Sequence, residues 1–416
     1  MSIIRDKSLA PEGLRKIQWV KDFMPVLSEL EERFRKEKPF QGLKISVSVH
    51  LEAKTAYLGL VLREGGADVA ITGSNVLSTK DDICAALDSL GMKVYAYHNA
   101  TQEEYIDHLK KTLEFCPDII IDDGGDFVSL LHGECKDYAK NLLGGCEETT
   151  TGIHRLRARA NAGTLNFPMM AVNDANCKHL FDNRHGTGQS TWDAIMYATN
   201  NMIAGKVVVV AGFGFCSSGI ALRAKGLGAR VVVTEINPFR ALEAAMEGYE
   251  VMTMDEAAKI GDIFITATGC KDVIVKRHYE VMKNNAFVAN AGHFDVEFSK
   301  PDLRALSDKV VERKNFIDGY YLKDGRVINV IGDGRLVNIV AGNGHPAEIM
   351  DLSFAIQALG ALFIAKNGKD LKPGLYDIPE EVDYQVAMMK VKAMSLGLDQ
   401  LTEEQEVYLA GTGDEE

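Results

Sequence analysis

The run Lys206-Val-Val-Val-Val-Ala-Gly-Phe-Gly-Phe-Cys-Ser-Ser-Gly219 has the residue types and spacing to hold a pyrophosphate. Four consecutive valines predict a strand buried on both faces, as in a parallel sheet. Gly212 and Gly214 then make a turn without Cβ atoms, where backbone can approach an anion closely. A helix predicted over 220–227 would point its N-terminal amides and dipole at that anion. The next strand, 230–234, ends at Glu235, 23 residues beyond Gly212, where a dinucleotide fold places the acid that binds ribose hydroxyls. The third glycine of G-x-G-x-x-G falls on Ser217, with a glycine only at Gly219; serine is small enough to keep helix and strand close. A βα turn without a ligand is the alternative, and the full series of strand, glycines, helix, strand and acid argues against it.

Other polar residues gather just past predicted strands. One strand finishes at His50, another leads into Ser74-Asn75, and a third ends at Asp122-Asp123-Gly124-Gly125-Asp126. In open α/β sheets the crevice beyond the carboxyl ends of the strands is where ligands bind, so His50, Asn75 and Asp123 should share one edge. Each could instead be a turn or helix cap. Glu147-Glu148-Thr149-Thr150-Thr151 reads as a hydroxyl array for a polyol such as ribose, with a helix cap as the competing reading. His293 follows a strand over 286–290 and should face the cofactor crevice.

The scaffold implied is α/β. Helices and strands alternate from residue 43 to residue 121, with strands over 43–50, 68–72, 93–97 and 118–121, which predicts a parallel sheet with helices on its faces. We divide the chain into a substrate-binding domain (1–185), a Rossmann-type domain (186–344), a return segment packing on the first domain (345–379) and a small helical tail (380–416). Both larger domains are expected to be doubly wound parallel sheets. A hinge is expected over 183–190. With 46% hydrophobic and 25% charged residues in 416, the composition is that of a globular protein. A net charge of −13 argues against nucleic acid as the main partner. No uninterrupted apolar run reaches membrane-spanning length and no signal-peptide core opens the chain, so a cytoplasmic protein is expected. Seven cysteines without a CxxC pair suggest neither a disulfide framework nor a metal site.

Asp122-Asp-Gly-Gly-Asp126, Glu147-Glu-Thr-Thr-Thr-Gly152, Val172-Asn-Asp174, Phe181-Asp-Asn183, Asn290-Ala-Gly-His-Phe-Asp295 and Gly344-His-Pro346 occur together in this order. That set resembles the S-adenosyl-L-homocysteine hydrolase family over nearly the whole chain, in the shorter form of archaea and some thermophilic bacteria, which includes S-inosyl-L-homocysteine hydrolases. The resemblance implies a bound NAD, a nucleoside thioether substrate, a homotetramer and a place in one-carbon metabolism. It implies oxidation of the nucleoside 3′-hydroxyl, loss of homocysteine by elimination, addition of water and re-reduction. Chemically, a proton α to a ketone is within reach of a side-chain base, whereas an unactivated ribose C–H is not.

By the same resemblance Lys178 would be the base for the 3′-hydroxyl, supported by Asp182. Such a lysine needs burial or a cationic neighbour to lower its pKa. Asp123 would take the C4′ proton and Glu148 hold ribose hydroxyls, while His50 and His293 handle protons at C5′. Thr149, Thr150, Thr151 and Asn183 would meet the nicotinamide side, Glu235 the adenosine ribose of NAD, and Asn338 and His345 the cleft near nicotinamide or substrate. The family's thiol after the Asp-Asn pair is replaced by Thr187, and the tail lacks the lysine and tyrosine that reach a neighbour's NAD.

At the base-reading segment the longer form's threonine and its carboxylate or amide are replaced by Glu52 and Lys54. A carboxylate accepting from N1–H and an ammonium donating to O6 would suit hypoxanthine. The two could equally pair with each other on the first turn of a helix, leaving adenine to backbone groups. The adenosyl compound is the first reading and the inosyl compound the second. A reading of another class, a hydroxy-acid dehydrogenase, would need an arginine for the substrate carboxylate, with Arg184 and Arg335 as candidates.

Overall fold

The computed structural model describes residues 2–411 and contains two sheets. The first comprises β1 (Lys44–Ser48), β2 (Asp68–Thr72), β3 (Lys93–Val94), β4 (Ile119–Asp122), β5 (Gly144–Glu147), β6 (Pro168–Ala171) and β15 (Gly374–Asp377). Its order is β15-β6-β5-β4-β1-β2-β3, and every pairing is parallel. The strand order reverses between β1 and β4, so their carboxyl ends, leading to His50 and Asp123, flank a topological switch point.

The second sheet comprises β7 (Val207–Ala211), β8 (Arg230–Thr234), β9 (Glu250–Val251), β10 (Ile263–Thr266), β11 (Ala286–Asn290), β12 (Ser307–Lys314), β13 (Ile317–Leu322) and β14 (Val327–Ile331). The order is β12-β13-β14-β11-β10-β7-β8-β9. Here the switch point lies between β7, which carries the glycine turn, and β10. Parallel pairing holds from β14 to β9, and the β12–β13–β14 edge is antiparallel. Val208, Val209 and Val210 are fully buried, as a strand covered on both faces requires.

Three strands of the first sheet and the β12–β13 hairpin differ from expectation. Strands β5, β6 and β15 are four residues each, two of them begin with glycine and one with proline, and none shows a period-2 pattern. Ahead of the first strand stand two helices, Ala10–Asp22 and Pro25–Glu37, broken where a proline cannot continue the first. The expected hinge over 183–190 is continuous helix: a wide π-helical segment, His179–Gly186, runs into the helix Thr187–Thr199.

The return helix Ala347–Asn367 is long and apolar enough to cross a membrane, but its side chains pack into the core of the first domain with Leu58, Val61 and Ile121. The tail helix Glu380–Ala393 packs on that domain as well. Asp383 accepts from Asn176 N (2.7 Å) and Cys177 N (2.9 Å), capping the turn that carries Lys178, and Lys390 pairs with Asp351 at 2.8 Å. The acidic end of the tail, from residue 412, lies outside the described residues.

Candidate functional site

A cleft of about 610 Å³ opens where the carboxyl ends of the two sheets face each other, a usual volume for a site holding small molecules. From the first domain it is lined by His50, Glu52, Lys54, Asp123, Glu148, Thr149, Thr150, Thr151, Lys178, Asp182 and Asn183, from the second by Gly214, His293 and Asn338, and from the start of the return segment by His345. The sequence candidates at strand ends are therefore brought together, although they span residues 50 to 345. Gly212, Gly219 and Glu235 are not among the residues that line it.

Lys178 Nζ donates to Asn183 Oδ1 (2.8 Å) and lies 3.3 Å from Asp182 Oδ2 and 3.6 Å from Glu148 Oε1. Burial opposes the ammonium charge, but Asp182 and Glu148 outweigh it and hold Lys178 above the ordinary lysine range. The expectation that its surroundings lower its pKa is thus corrected for the protein alone. Asp182 is the hub of the cluster. Its Oδ1 is 2.5 Å from His345 Nδ1, and its Oδ2 accepts from Ser353 Oγ at 2.7 Å. Burial pushes this carboxyl up, yet Lys178 and His345 outweigh burial and keep it well below the usual carboxylate range. His345 Nε2 continues the chain to Thr187 Oγ1 at 3.3 Å.

Asp123 stands beyond the switch point of the first sheet. Its Oδ2 accepts from Ser74 Oγ (2.8 Å) and faces His50 Nε2 at 3.6 Å, while its Oδ1 is buried with no partner among the described residues. A buried carboxylate oxygen without a donor is an acceptor awaiting a ligand proton. His50 Nδ1 is bonded to Ser78 Oγ at 2.7 Å, and burial holds this imidazole below its ordinary range despite Asp123. The rings of His50 and His293 lie 6.5 Å apart, one from each domain. Asn75 is the turn cap of the alternative reading, accepting from Leu77 N (2.9 Å) and Ser78 N (3.3 Å).

Glu148 accepts from Gln357 Nε2 at 2.5 Å, and burial pushes its carboxyl up to about 7. Ser353 and Gln357, one turn apart on the return helix, thus hold Asp182 and Glu148. Neither residue was found in the sequence, because polar positions within an apolar helix read there as packing. Thr149 takes the capping role, accepting from Gly152 N at 3.0 Å and donating to Glu147. Thr150 Oγ1 bonds Asn173 Oδ1 at 3.3 Å, and Asn183 Nδ2 bonds the same oxygen at 3.2 Å. Glu52 caps the helix Ala53–Glu64 and pairs with Lys54 at 2.8 Å, and Lys54 Nζ also donates to the Asn343 carbonyl at 3.3 Å.

The second domain fits a dinucleotide. Gly212 has φ +90°, and an added Cβ at Gly214 would meet open space, so the loop presents bare backbone. Glu235 accepts from Phe213 N (2.7 Å), Ile236 N (2.7 Å) and Asn237 N (3.0 Å), holding a carboxylate beside the loop. Ser217 is fully buried and donates to the Ala267 carbonyl, keeping helix and sheet close as a third glycine would. Gly219 serves packing: a Cβ there would strike the Arg184 carbonyl of the π-helical segment. Asn338 Oδ1 is buried and has no partner among the described residues, an acceptor available to an amide. Neither candidate arginine, Arg184 or Arg335, lines the cleft, whereas Arg155 and Arg240 do.

Behind the site, Asp122 is fully buried on β4, and burial raises its carboxyl to about 7. An acid whose pKa is higher folded than unfolded stabilises the fold fully below its unfolded value, near 4, and loses that contribution as pH rises through about 7. Asp122→Asn should therefore flatten the fall in unfolding free energy between pH 5 and 7 by on the order of 1 kcal/mol per pH unit. Urea unfolding at both pH values checks this; equal slopes in wild type and variant would assign the titration elsewhere.

Fold and cleft together define a two-domain α/β enzyme with a dinucleotide-binding lobe. Models of two parts of one family match the chain: S-adenosyl-L-homocysteine hydrolase over residues 2–140, and its NAD binding domain over residues 183–344. The S-inosyl-L-homocysteine hydrolase of Methanocaldococcus jannaschii is 56% identical over 98% of both chains. The adenosylhomocysteinase of Pyrococcus abyssi is 53% identical over 98% of this chain and 96% of its own, and that of Aquifex aeolicus is 51% identical over 98% of each. The chain belongs to the S-adenosyl-L-homocysteine hydrolase family and is an NAD-dependent hydrolase.

Proposed function

We propose that the protein catalyses reversible hydrolysis of S-adenosyl-L-homocysteine to adenosine and L-homocysteine. The observation that carries this reading is one cleft with two proton-handling centres: Lys178–Asp182–His345 on one side, and Asp123 with an unpartnered oxygen beside His50 and His293 on the other. The glycine loop, Glu235 and Asn338 would hold NAD, which would supply a hydride acceptor and later a donor at the ribose 3′ carbon. Lys178 receives the 3′-hydroxyl proton, for which it must first lose its own, and Asp182 at 3.3 Å orients its nitrogen. Asp123 Oδ1 takes the C4′ proton once the 3′ carbon is a ketone. His50 and His293 then protonate the departing thiolate and deprotonate the incoming water. Glu148, fixed by Gln357, orients the ribose hydroxyls. The test is release of homocysteine from the adenosyl thioether with no net accumulation of NADH; stoichiometric NADH would mean a dehydrogenase instead.

The purine is read by comparing two substrates. The Glu52–Lys54 pair, with Lys54 also committed to the Asn343 carbonyl, supports adenine bound by other groups. Hypoxanthine is the second reading, since both side chains line the cleft. We expect an adenosyl preference in kcat/KM that Glu52→Gln and Lys54→Ala leave unchanged. A buried mismatched donor or acceptor costs about 1–3 kcal/mol, roughly tenfold to a hundredfold. An inosyl preference of that size that shrinks in Lys54→Ala would make the protein an inosyl hydrolase. The same reading carries a cytoplasmic homotetramer; subunit contact as such is supported by Ile236, Phe239 and Met246, apolar side chains that are 100%, 81% and 84% exposed.

A further inference from the structure

A second cavity, of about 480 Å³, lies at the opposite end of the second sheet, where β7, β10 and β11 begin. Four cations line it, Lys206, Lys283, Arg313 and Lys314, against one acid, Asp262. Asp262 is matched to Lys283 at 2.8 Å, which leaves three cations without a carboxylate within ion-pair distance among the described residues. In a chain of net charge −13 such a concentration runs against the average.

Arg313 is held in a way an ordinary surface arginine is not. It is the extra residue of a β-bulge, where the register of β12 on β13 shifts between Glu312 and Lys314. Bulges re-aim a side chain out of the alternating pattern. Its stem crosses Gly319, where a Cβ would come within 2.5 Å of Arg313 Cδ. Its guanidinium donates to two neutral amide oxygens, Asn329 Oδ1 at 2.8 Å and Asn285 Oδ1 at 3.1 Å, and Asn329 is buried. The fork is thereby oriented while its charge stays uncompensated, which is the arrangement that binds a phosphoryl group.

We propose that this cavity is a binding site for a small phosphorylated compound, its phosphate held by Arg313, Lys206 and Lys314. A phosphate monoester and an inorganic polyphosphate share the chemistry, and the cavity is large enough for a sugar phosphate.

The test is calorimetric titration of the NAD-loaded full chain, whose glycine loop is occupied, with ribose 5-phosphate and with pyrophosphate, against sulfate at equal ionic strength. We expect one site per chain for at least one phosphate probe, and which probe binds identifies the source. Arg313→Ala should weaken binding at least tenfold and Lys206→Ala/Lys314→Ala similarly, with hydrolysis unchanged in both, whereas Asp123→Asn should not affect it. No binding by either probe, equal binding by sulfate, or undiminished binding in both cavity variants would overturn the site. Tighter binding of a short DNA duplex than of ribose 5-phosphate would replace it with a nucleic-acid surface.

Discussion

Replacing Lys178 by Ala should lower the rate at which adenosine reduces enzyme-bound NAD by roughly 10²–10⁴-fold, the usual contribution of a positioned acid–base group. Lys178 is the only nitrogen base within 3.6 Å of both Asp182 and Glu148 among the described residues, and its removal leaves no acceptor for the 3′-hydroxyl proton at that point. The substitution also leaves two buried carboxylates without their ammonium, which destabilises by several kcal/mol when such a pair is broken. Asp182 retains His345 and Ser353, so its charge stays compensated. Lys178→Met, which keeps the volume, serves as the second variant. Absorbance of bound NADH on mixing with adenosine is the measurement, with far-ultraviolet circular dichroism and NAD content reporting the fold. Undiminished NADH formation in both variants would move the 3′-hydroxyl base elsewhere.

Asp123→Asn should separate two steps that Lys178→Ala abolishes together. Oxidation at C3′ precedes proton removal at C4′, so the variant should still form bound NADH with nucleoside. Exchange of the C4′ proton with solvent should fall by roughly 10²–10⁴-fold. Asparagine preserves the shape and can still accept from Ser74, but neither of its side-chain polar atoms is a base. Loss of charge beside His50 should also make that imidazole harder to protonate, since the carboxylate is what opposes burial there. Exchange is read by proton magnetic resonance in deuterated buffer. Wild-type exchange in Asp123→Asn would remove Asp123 from the C4′ step.

Most of the architecture was legible because local pattern and burial coincide. Val207–Ala211 announced a doubly covered strand, and Gly212 with Glu235 announced the dinucleotide turn. Strand ends alone predicted that His50 and Asp123 would share an edge, since the β1/β4 switch point leaves a crevice there. Strands β5, β6 and β15 were not legible: four residues each, they owe their pairing to neighbouring strands and not to a pattern of their own.

What the sequence determined by itself was the class of fold, the dinucleotide loop and the residue types available for proton transfer, because each rests on contacts between near neighbours in the chain. Tertiary structure decided how those groups are tuned. Lys178 stays charged because Glu148, from the end of β5, joins its chain neighbour Asp182 around it, and Ser353 and Gln357 reach the site only because the return helix is buried beside β4 and β5. It also decided that Gly219 packs against Arg184, that Glu52 is matched to Lys54, and that Arg313 is turned by a bulge into a cavity far from the cleft. The reason is physical: burial and the partner across a gap set a group's charge and hydrogen bonding, and the partner can stand as far along the chain as Ser353 from Asp182 or Gln357 from Glu148.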